Sequence, residues 1–209
     1  MGMRAATGAI SAVRVQDGTF TCHVIGNATP RGICGSGLVD AVAAGLQLGL
    51  IQPNGRFTEK SRDFVLAEPV RITQADVREL QLAKAAIAAG IAILLEQWGT
   101  TRDELSALYI AGAFGNYINL ASARRIGLLD WPVDKIHMAG NTALLGAKLA
   151  LFTDDHELAE YHDIRRRVEH VPLASDTRFM DAFVRAMLFP PARCGPRPGA
   201  SPSRGRLDR

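Results

Sequence analysis

Cysteine is scarce in this chain and does not occur at metal-binding spacings. The three cysteines are Cys22, Cys34 and Cys194, and no two of them form a C-x-x-C pair. The chain by itself therefore offers no cysteine framework for a zinc ion or an iron–sulfur cluster. An odd number of widely separated thiols is typical of a reduced, intracellular protein, so we expect the chain to be cytoplasmic.

Long hydrophobic runs are also absent. The most apolar stretch is LAKAAIAAGIAILL at 82–95. It is shorter than the roughly 20 residues that a helix needs to span a bilayer. The first residues do not have the pattern of a secretory signal. We therefore expect no association with a membrane and interpret 82–95 as part of a buried helix.

Charge of one sign is only slightly in excess. The formal net charge is +3, and much of the basic excess falls in PPARCGPRPGASPSRGRLDR at 190–209. Proline, glycine and serine dominate this stretch, which cannot bury enough apolar surface to offset the entropy of ordering it. The composition predicts a folded domain over 1–189 and a disordered basic tail over 190–209. A solvated basic tail of this kind does not by itself indicate nucleic-acid binding, which we disfavour.

Several familiar catalytic motifs are missing. The sequence contains no G-x-x-x-x-G-K-[ST] phosphate loop, no G-x-G-x-x-G dinucleotide fingerprint and no G-x-S-x-G elbow. The histidines show no metal-ligand spacing: His156 and His162 are six apart, which places them on different faces of a helix. The sequence therefore predicts no metal site.

An alternation of strand and helix patterns is what the chain does contain. AISAVRV (9–15) and FTCHVI (20–25) flank Asp17-Gly18, which is a strong signal for a β-hairpin. From residue 63 onward, short β-prone runs alternate with helical patterns. This order favours an α/β fold, in which helices cover the faces of a sheet.

Two predicted helices have recognisable starts. The first begins near Leu38, where we expect Ser36 to be the cap. The second, over 72–99, begins with Thr73 and Asp76 in a capping-box pattern and has glycine at its end. Its later half is apolar all round, which predicts deep burial.

Two further helices are predicted near the end of the chain. NTALLGAKLALF at 141–152 combines leucine with small residues, which is typical of a tightly packed helix. DTRFMDAFVRAMLF at 176–189 is amphipathic, with Phe179, Phe183 and Met187 on one face.

The stretch YIAGAFGNYIN at 109–119 is the strongest candidate for a ligand site. It places glycines, amides and aromatics where a strand ends, and α/β sheets bind ligands at the carboxyl ends of their strands. Asn116 or Asn119 can read a heterocycle or a ribose, and Phe114 or Tyr117 can pack on a planar base. The alternative is a plain strand-to-helix connection, with Asn as a cap and Tyr as a core anchor.

Two other features remained open to more than one interpretation. GICGSG at 32–37 runs into a helix start and can hold an anion, but we favour close packing of helix on sheet. Lys84 lies where the long helix turns apolar. Its side chain can either snorkel to solvent or reach a phosphate or ribose, and the sequence favours neither.

Six stretches, taken together and in order, resemble one protein family. They are MRAATGAISAVRV, PRGICGSGLVDAVA, ITQADVRELQLAKAAI, YIAGAFGNYIN, AGNTALLGAKLAL and ASDTRFMDAFVRAMLF. The chain resembles, over roughly residues 3–189, the C-terminal part of the ATP-dependent reductive activators of corrinoid proteins. These are iron–sulfur proteins whose ATPase part belongs to the superfamily of acetate kinase, sugar kinases, heat-shock chaperones and actin.

The resemblance implies a fold and a set of site residues. The fold would be a ribonuclease-H-like or actin-like ATPase half-domain, a mixed sheet with flanking helices and an N-terminal β-hairpin. The cofactors would be ATP and Mg²⁺, and the adenosine edge of the ATP cleft would be formed by Gly112, Ala113, Phe114, Gly115 and Asn116. By position in the fold, the helix that carries Glu79 and Lys84 would flank the adenosine from the other side.

The departures from the family pattern are equally informative. The two Asp-x-Gly-Thr elements that hold Mg²⁺ and phosphate in the family are absent from this sequence. Asp17-Gly18-Thr19 is only superficially similar to them, since it lies in the predicted hairpin turn. The family's cluster-binding cysteines would belong to a missing N-terminal part. We therefore expect that this chain alone neither hydrolyses ATP nor reduces a corrinoid.

Three functional hypotheses follow. In the first, the chain is the nucleotide-binding half of a corrinoid activator. It would be truncated or paired with a separately encoded N-terminal half, and its partner would be a corrinoid protein or a corrinoid-dependent methyltransferase. In the second, it is an inactive remnant or an interaction module. In the third, the weakest, it is a kinase-like chain that acts on a small molecule.

Overall fold

The computed structural model describes residues 1–58, 63–112, 114–153 and 158–191, and it describes only the backbone of Leu158 and Glu160. From residue 192 onward, the predicted tail lies outside the described residues. The strands are β1 (Ala9–Gln16), β2 (Thr19–Val24), β3 (Gly32–Ile33), β4 (Asp63–Ala67), β5 (Val70–Thr73), β6 (Leu108–Ala111) and β7 (Ile136–Gly140). The α-helices are α1 (Gly35–Gln47), α2 (Gln74–Trp98), α3 (Leu120–Arg125), α4 (Thr142–Ala150), α5 (Leu158–Arg167) and α6 (Phe179–Ala186).

The predicted N-terminal hairpin is confirmed. Strands β1 and β2 pair antiparallel from Ile10–Val24 to Gln16–Thr19, and Asp17 and Gly18 both have positive φ, at 50° and 74°. Two left-handed residues in a two-residue loop make the backbone twist match that of the flanking strands. This is why Asp-Gly between two β-prone runs is such a reliable signal.

The strands form three small sheets within the described residues. Strand β1 lies between β2 and the short parallel strand β3, while β4 pairs with β5 and β6 pairs with β7. The first sheet is mixed and carries the hairpin, as predicted, and the β6–β7 pair is parallel. The main core lies between β1, α1 and α3, and apolar residues of β4, β5 and α2 extend it.

Helix α1 packs tightly on β1. A Cβ added to Gly37 would clash with the main-chain carbonyl of Ile10, so only glycine allows the helix to come this close. The interpretation of 32–37 as close helix–sheet packing is therefore confirmed. The predicted cap is wrong: α1 begins at Gly35 after Cys34, and the Ser36 hydroxyl instead donates to the Ser11 carbonyl at 2.9 Å.

Helix α2 begins and ends as its sequence predicts. The Thr73 hydroxyl accepts from the Asp76 amide, the Asp76 carboxylate accepts from the Thr73 amide, and Gly99 ends the helix with φ of 72°. The prediction that its later half is deeply buried is wrong. Ile87, Leu94 and Trp98 are 50%, 44% and 74% exposed. Its buried later positions are small or lie on a single face.

Helix α4 also differs from its prediction, which was of a tightly packed helix. It forms where expected, with the Asn141 side chain accepting from the Leu144 amide, but none of its residues is buried. Leu144, Leu145 and Leu149 are all more than half exposed. The sequence pattern is that of a packed helix, and no other part of the described chain covers it.

Helix α6 packs along α2, and its aromatic face is real. Phe179 and Phe183 stack with ring centroids 6.0 Å apart, as their spacing predicts. At the start of α6, Arg178 forms an ion pair with Glu96 of α2 at 2.9 Å. No described helix is long and apolar enough to cross a membrane.

Candidate functional site

The carboxyl ends of β6 and β7 meet at one edge. These parallel strands pair from Leu108–Ile136 to Ala111–Gly140, so their ends lie side by side. The amide of Gly112 donates to the carbonyl of Gly140 at 2.8 Å, which locks the two ends together. Both glycines are left-handed, with φ of +96° and +73°. A residue with a side chain would be strained at either position.

The space above these two glycines is open. A Cβ built on Gly112 or on Gly140 would meet no atom within 4 Å. Glycine is therefore required here by the backbone conformation and not by packing inside the chain. The result is a bare main-chain edge that a ligand can approach closely. We call Gly112, residues 114–116 and Gly140 together the glycine edge.

Gly115 and Phe114 fix the glycine edge to the rest of the fold. Gly115 is buried, and a Cβ there would lie 2.5 Å from Ile110 Cγ2. The Phe114 ring lies against Gly35 at the start of α1, where a Cβ would come within 2.8 Å of its Cε2 atom. Phe114 is still 50% exposed, so its remaining surface is available to a ligand. Ala113, also expected at this edge, lies outside the described residues.

The two amides and the second aromatic of residues 109–119 lie in different environments. The Asn119 side chain accepts from the amides of Ala121 and Ser122 and so caps α3, as the plain alternative predicted. Asn116 is exposed. Tyr117 is 77% exposed, so it is not a core anchor. Of the two amides, Asn116 is the one whose side chain is not committed to a cap.

The start of α1 is covered rather than open. Cys34 is buried, and its sulfur lies 3.3 Å from the Ser36 hydroxyl, which is itself bonded to Ser11. The Phe114 ring covers Gly35. These contacts bring the two glycine-rich stretches of the sequence together, but they leave the helix start engaged in packing.

Lys84 and Glu79, the two residues of α2 expected near the adenosine, lie in different environments. The Lys84 ammonium is buried and donates to the Leu188 carbonyl at 2.5 Å, with the Phe189 ring centroid 5.2 Å away. Burial lowers the pKa of Lys84 to about 8. Neither snorkelling to solvent nor a reach to phosphate describes this position. Glu79 is exposed, and at five residues from Lys84 it lies on another face of α2.

Two important residues escaped the sequence interpretation. Gly140 is half of the glycine edge, and the signal was available: Ala-Gly ends both strands, at 111–112 and at 139–140. Gln81 of α2 is 2% exposed, although glutamine is usually found on the surface of a helix. A polar residue in line with the apolar positions of a helix was the signal there.

A buried carboxylate lies between β1 and α1. Asp40 is 4% exposed, and its Oδ2 accepts from the Val13 amide at 3.2 Å. Burial raises the pKa of Asp40, while hydrogen bonds from Ser122 and Val13 and the charge of Arg14 act against this rise. Its contacts are with the core of the fold.

The described residues hold no group of three or more histidine, cysteine, aspartate or glutamate side chains that would fit a metal ion. Cys22 and Cys34 are both free thiols, and burial raises the pKa of Cys22. This part of the chain therefore does not fit an iron–sulfur cluster.

The fold is a mixed α/β domain with an N-terminal hairpin and glycines at the ends of two parallel strands. Comparison with known proteins assigns it to the class of actin-like, or ASKHA, domains. Residues 1–199 match the family model described as the C-terminal domain of RACo, the ASKHA domain. The chain belongs to this family.

Curated relatives and a solved structure agree with this assignment. The chain is 38% identical to the corrinoid activation enzyme RamQ of Eubacterium limosum, covering 90% of this chain and 36% of that protein. It is 30% identical to the [Co(II) methylated amine-specific corrinoid protein] reductase of Methanosarcina barkeri, covering 73% and 28%. The structure of a reductive activator for corrinoid, iron–sulfur protein superposes with a TM-score of 0.79 at 35% identity, covering 90% and 33%. The chain thus spans about a third of the length of these relatives.

Proposed function

We propose that this chain supplies the adenosine side of an ATP cleft in a reductive activator of a corrinoid protein. The observation that carries the proposal is the glycine edge: two left-handed glycines joined by a hydrogen bond, with open space above both. Such an edge lets adenosine lie against bare main chain, as ligands do at strand ends in α/β folds. Membership in the corrinoid-activator family supports the nature of the ligand.

The residues of the chain have distinct parts in this proposal. Gly112 and Gly140 provide the close approach, and Phe114 offers its exposed surface to the base. Asn116 provides an amide for the base or the ribose. Gly115 holds the turn against Ile110, so that these groups stay in place. In the intact protein, binding and hydrolysis of ATP would drive closure of the cleft. Mg²⁺ and the phosphates would be held by residues outside this chain.

A second polypeptide segment is part of the proposal. In the longer relatives two thirds of the protein lies outside the matched region. The exposed leucines of α4 present the kind of apolar surface that folded proteins cover. We propose that an N-terminal portion, in the same or in a separate chain, covers α4, supplies the phosphate-binding elements and carries the iron–sulfur cluster. The complete protein would then act on a corrinoid protein or a corrinoid-dependent methyltransferase.

Calorimetric titration of the purified chain tests the adenosine site. We expect adenosine to bind weakly and Mg·ATP to bind no tighter than adenosine, because charge on the phosphates finds no partner in the glycine edge. Asn116→Ala and Phe114→Ala should each weaken binding of adenosine. Tyr109→Ala is the matched control, since Tyr109 is an exposed aromatic on β6 that stacks on His137 outside the edge. A folded chain that binds neither ligand, or variants that bind as the wild type does, would refute the proposal.

A further inference from the structure

Helix α2 carries one continuous face that runs along its whole length. The positions on this face alternate in steps of three and four residues, which is the spacing of a helix that packs against another helix. They are Val77, Leu80, Lys84, Ile87, Ile91, Leu94 and Trp98. Val77, Leu80 and Lys84 are buried inside the domain, at 0%, 8% and 2% exposed. The first half of the face is therefore part of the fold.

The second half of the same face is uncovered. Ile87, Leu94 and Trp98 are 50%, 44% and 74% exposed, and Ile91 between them is partly buried. We call these four residues the α2 seam. Helix α6 packs on another side of α2, since Arg178 of α6 pairs with Glu96, which the period of the helix places away from the seam. The pattern that buries the first half of α2 thus continues, over roughly 16 Å, onto the surface of the domain.

The surface around the α2 seam carries no charge. Between Leu82 and Leu95 the only ionisable residue is Lys84, and its ammonium is turned inward to the Leu188 carbonyl at 2.5 Å. Helices that face solvent normally carry charged and polar residues on that side. A contiguous apolar surface without charge is typical of an interface, and it fits a partner surface that is itself apolar and uncharged.

The sizes of the side chains along this surface indicate which partner fits. The bulky residues Leu94 and Trp98 lie at the C-terminal end of the surface. At its N-terminal end, Ala83 and Ala86 are exposed beside Ile87. When two copies of α2 lie antiparallel about a two-fold axis near Ile91, the bulky end of each helix meets the small end of the other. Such a surface is complementary to itself, as a two-fold interface requires.

We propose that the α2 seam is the contact surface for a second copy of this chain, in an antiparallel two-fold pair of α2 helices. The steps of three and four residues suit helices that cross at a shallow angle of about 20°. Four side chains cover less than the roughly 800 Å² that each partner buries in a standard interface, so the pair is a weak one, in the micromolar to millimolar range. The contact is separate from the glycine edge and from α4, so it does not depend on binding of adenosine.

Sedimentation equilibrium of the full chain over a range of concentrations tests the pair. We expect a monomer–dimer equilibrium that Leu94→Glu weakens at least about tenfold, because a carboxylate at the seam would be buried without a partner. Leu149→Glu is the matched control: it is the same substitution at a leucine of α4 that is 55% exposed, and it should leave the equilibrium unchanged. A wild-type chain that stays monomeric up to millimolar concentration would overturn the proposal. Dimerisation that Leu94→Glu leaves unchanged would overturn it too.

Tryptophan fluorescence of the wild-type chain locates the contact without any variant. The chain has two tryptophans, of which Trp131 is 2% exposed and Trp98 is 74% exposed. On dilution, the emission should shift to longer wavelength with the midpoint found by sedimentation, because Trp98 returns to water while Trp131 stays buried. Dimerisation without this shift would place the contact elsewhere and overturn the proposal. A monomeric chain whose emission shifts to shorter wavelength only when the N-terminal portion of a corrinoid activator is added would also overturn it, because that portion would then be what covers the seam.

Discussion

Glycine is required at several positions of this chain, and for more than one physical reason. Gly37 is required because α1 approaches the Ile10 carbonyl, while Gly112 and Gly140 are required by their backbone conformation. Glycine thus has two different physical roles in the chain, close packing in one place and an accessible main chain in another. Sequence alone shows the glycines, but only the backbone angles and neighbouring atoms separate the roles.

Substitution of two helical glycines by alanine should have opposite effects on the free energy of unfolding. Gly37→Ala should lower the free energy of unfolding by about 1–3 kcal/mol, because the new methyl group clashes with main-chain atoms that cannot easily move. Gly146→Ala in α4 is the matched control, since nothing lies within 4 Å of a Cβ there. It should raise the free energy by up to about 1 kcal/mol through helix propensity. Equal effects in urea denaturation would contradict this account of Gly37.

Lys84 predicts a dependence of stability on alkaline pH. Its pKa is about 8 in the folded chain and 10.5 ordinarily, so between these values the unfolded chain binds more protons than the folded one. Stability contributed by Lys84 therefore rises as pH increases from about 8 to 10.5, by up to about 1.4 kcal/mol per pH unit. The measured quantity is the difference in free energy of unfolding between the wild type and Lys84→Met. A difference that stays constant or falls over this range would show that burial does not lower the pKa of Lys84.

At the scale of elements, the ends of α2 were predictable from the sequence, whereas the start of α1 and the burial of two helices were not. Helix α2 begins at the capping box of Thr73 and Asp76 and ends at Gly99, as its sequence predicts. A cap is predictable because it involves only neighbours within one turn. Burial of α4 and of the later half of α2 depends on what packs against them. A pattern of leucine and alanine predicts that a helix will be covered but does not identify the covering element, and the described chain does not provide it.

The capping box of α2 gives a prediction at this scale. Thr73→Ala should lower the free energy of unfolding by about 1 kcal/mol, because the Asp76 amide loses its acceptor. Thr142→Ala is the control, since the cap of α4 is the side chain of Asn141. Thermal or urea denaturation that finds the two variants equally stable would contradict the role of Thr73.

Helix α4 gives a second prediction at the scale of elements. Leu145 and Leu149 are one turn apart and each is 55% exposed. Their replacement by glutamate should leave the free energy of unfolding of this chain within about 0.5 kcal/mol, as for other surface positions. The same variant should no longer associate with the N-terminal portion of a corrinoid activator, measured by co-purification, whereas Thr142→Glu should. Association that is retained by the double variant would exclude α4 from that interface.

At the scale of the whole molecule, the fold was easier to predict from the sequence than the contacts between distant segments. Composition and pattern were sufficient to predict an α/β fold, the hairpin and a strand that ends in a glycine turn near residue 112, because these depend on short-range signals. The hydrogen bond between Gly112 and Gly140, and the burial of Lys84 against the Leu188 carbonyl, depend on contacts between residues far apart in sequence. The latter contact spans 104 residues between Lys84 and Leu188, and no local pattern encodes it.

The isolated molecule should not turn over ATP. Phosphoryl transfer depends on groups that position and neutralise the phosphates. The described residues provide no metal-binding group, and the sequence lacks the Asp-x-Gly-Thr elements. We expect release of ADP by the purified chain with Mg²⁺ to stay at the rate of the protein-free control. Turnover typical of an ATPase would mean that the chain contains a phosphate site that its sequence does not reveal.

Photolabelling with 8-azidoadenosine tests the central claim most directly, because it maps the site onto the sequence. Trypsin cleavage after Arg102 and Arg124 gives a peptide, 103–124, that contains residues 109–119, while cleavage after Arg78 and Lys84 isolates 79–84 of α2. We predict that the label appears on 103–124, that excess adenosine prevents it, and that Asn116→Ala reduces it. Label on 79–84 alone, or label that adenosine does not displace, would contradict an adenosine site at the glycine edge.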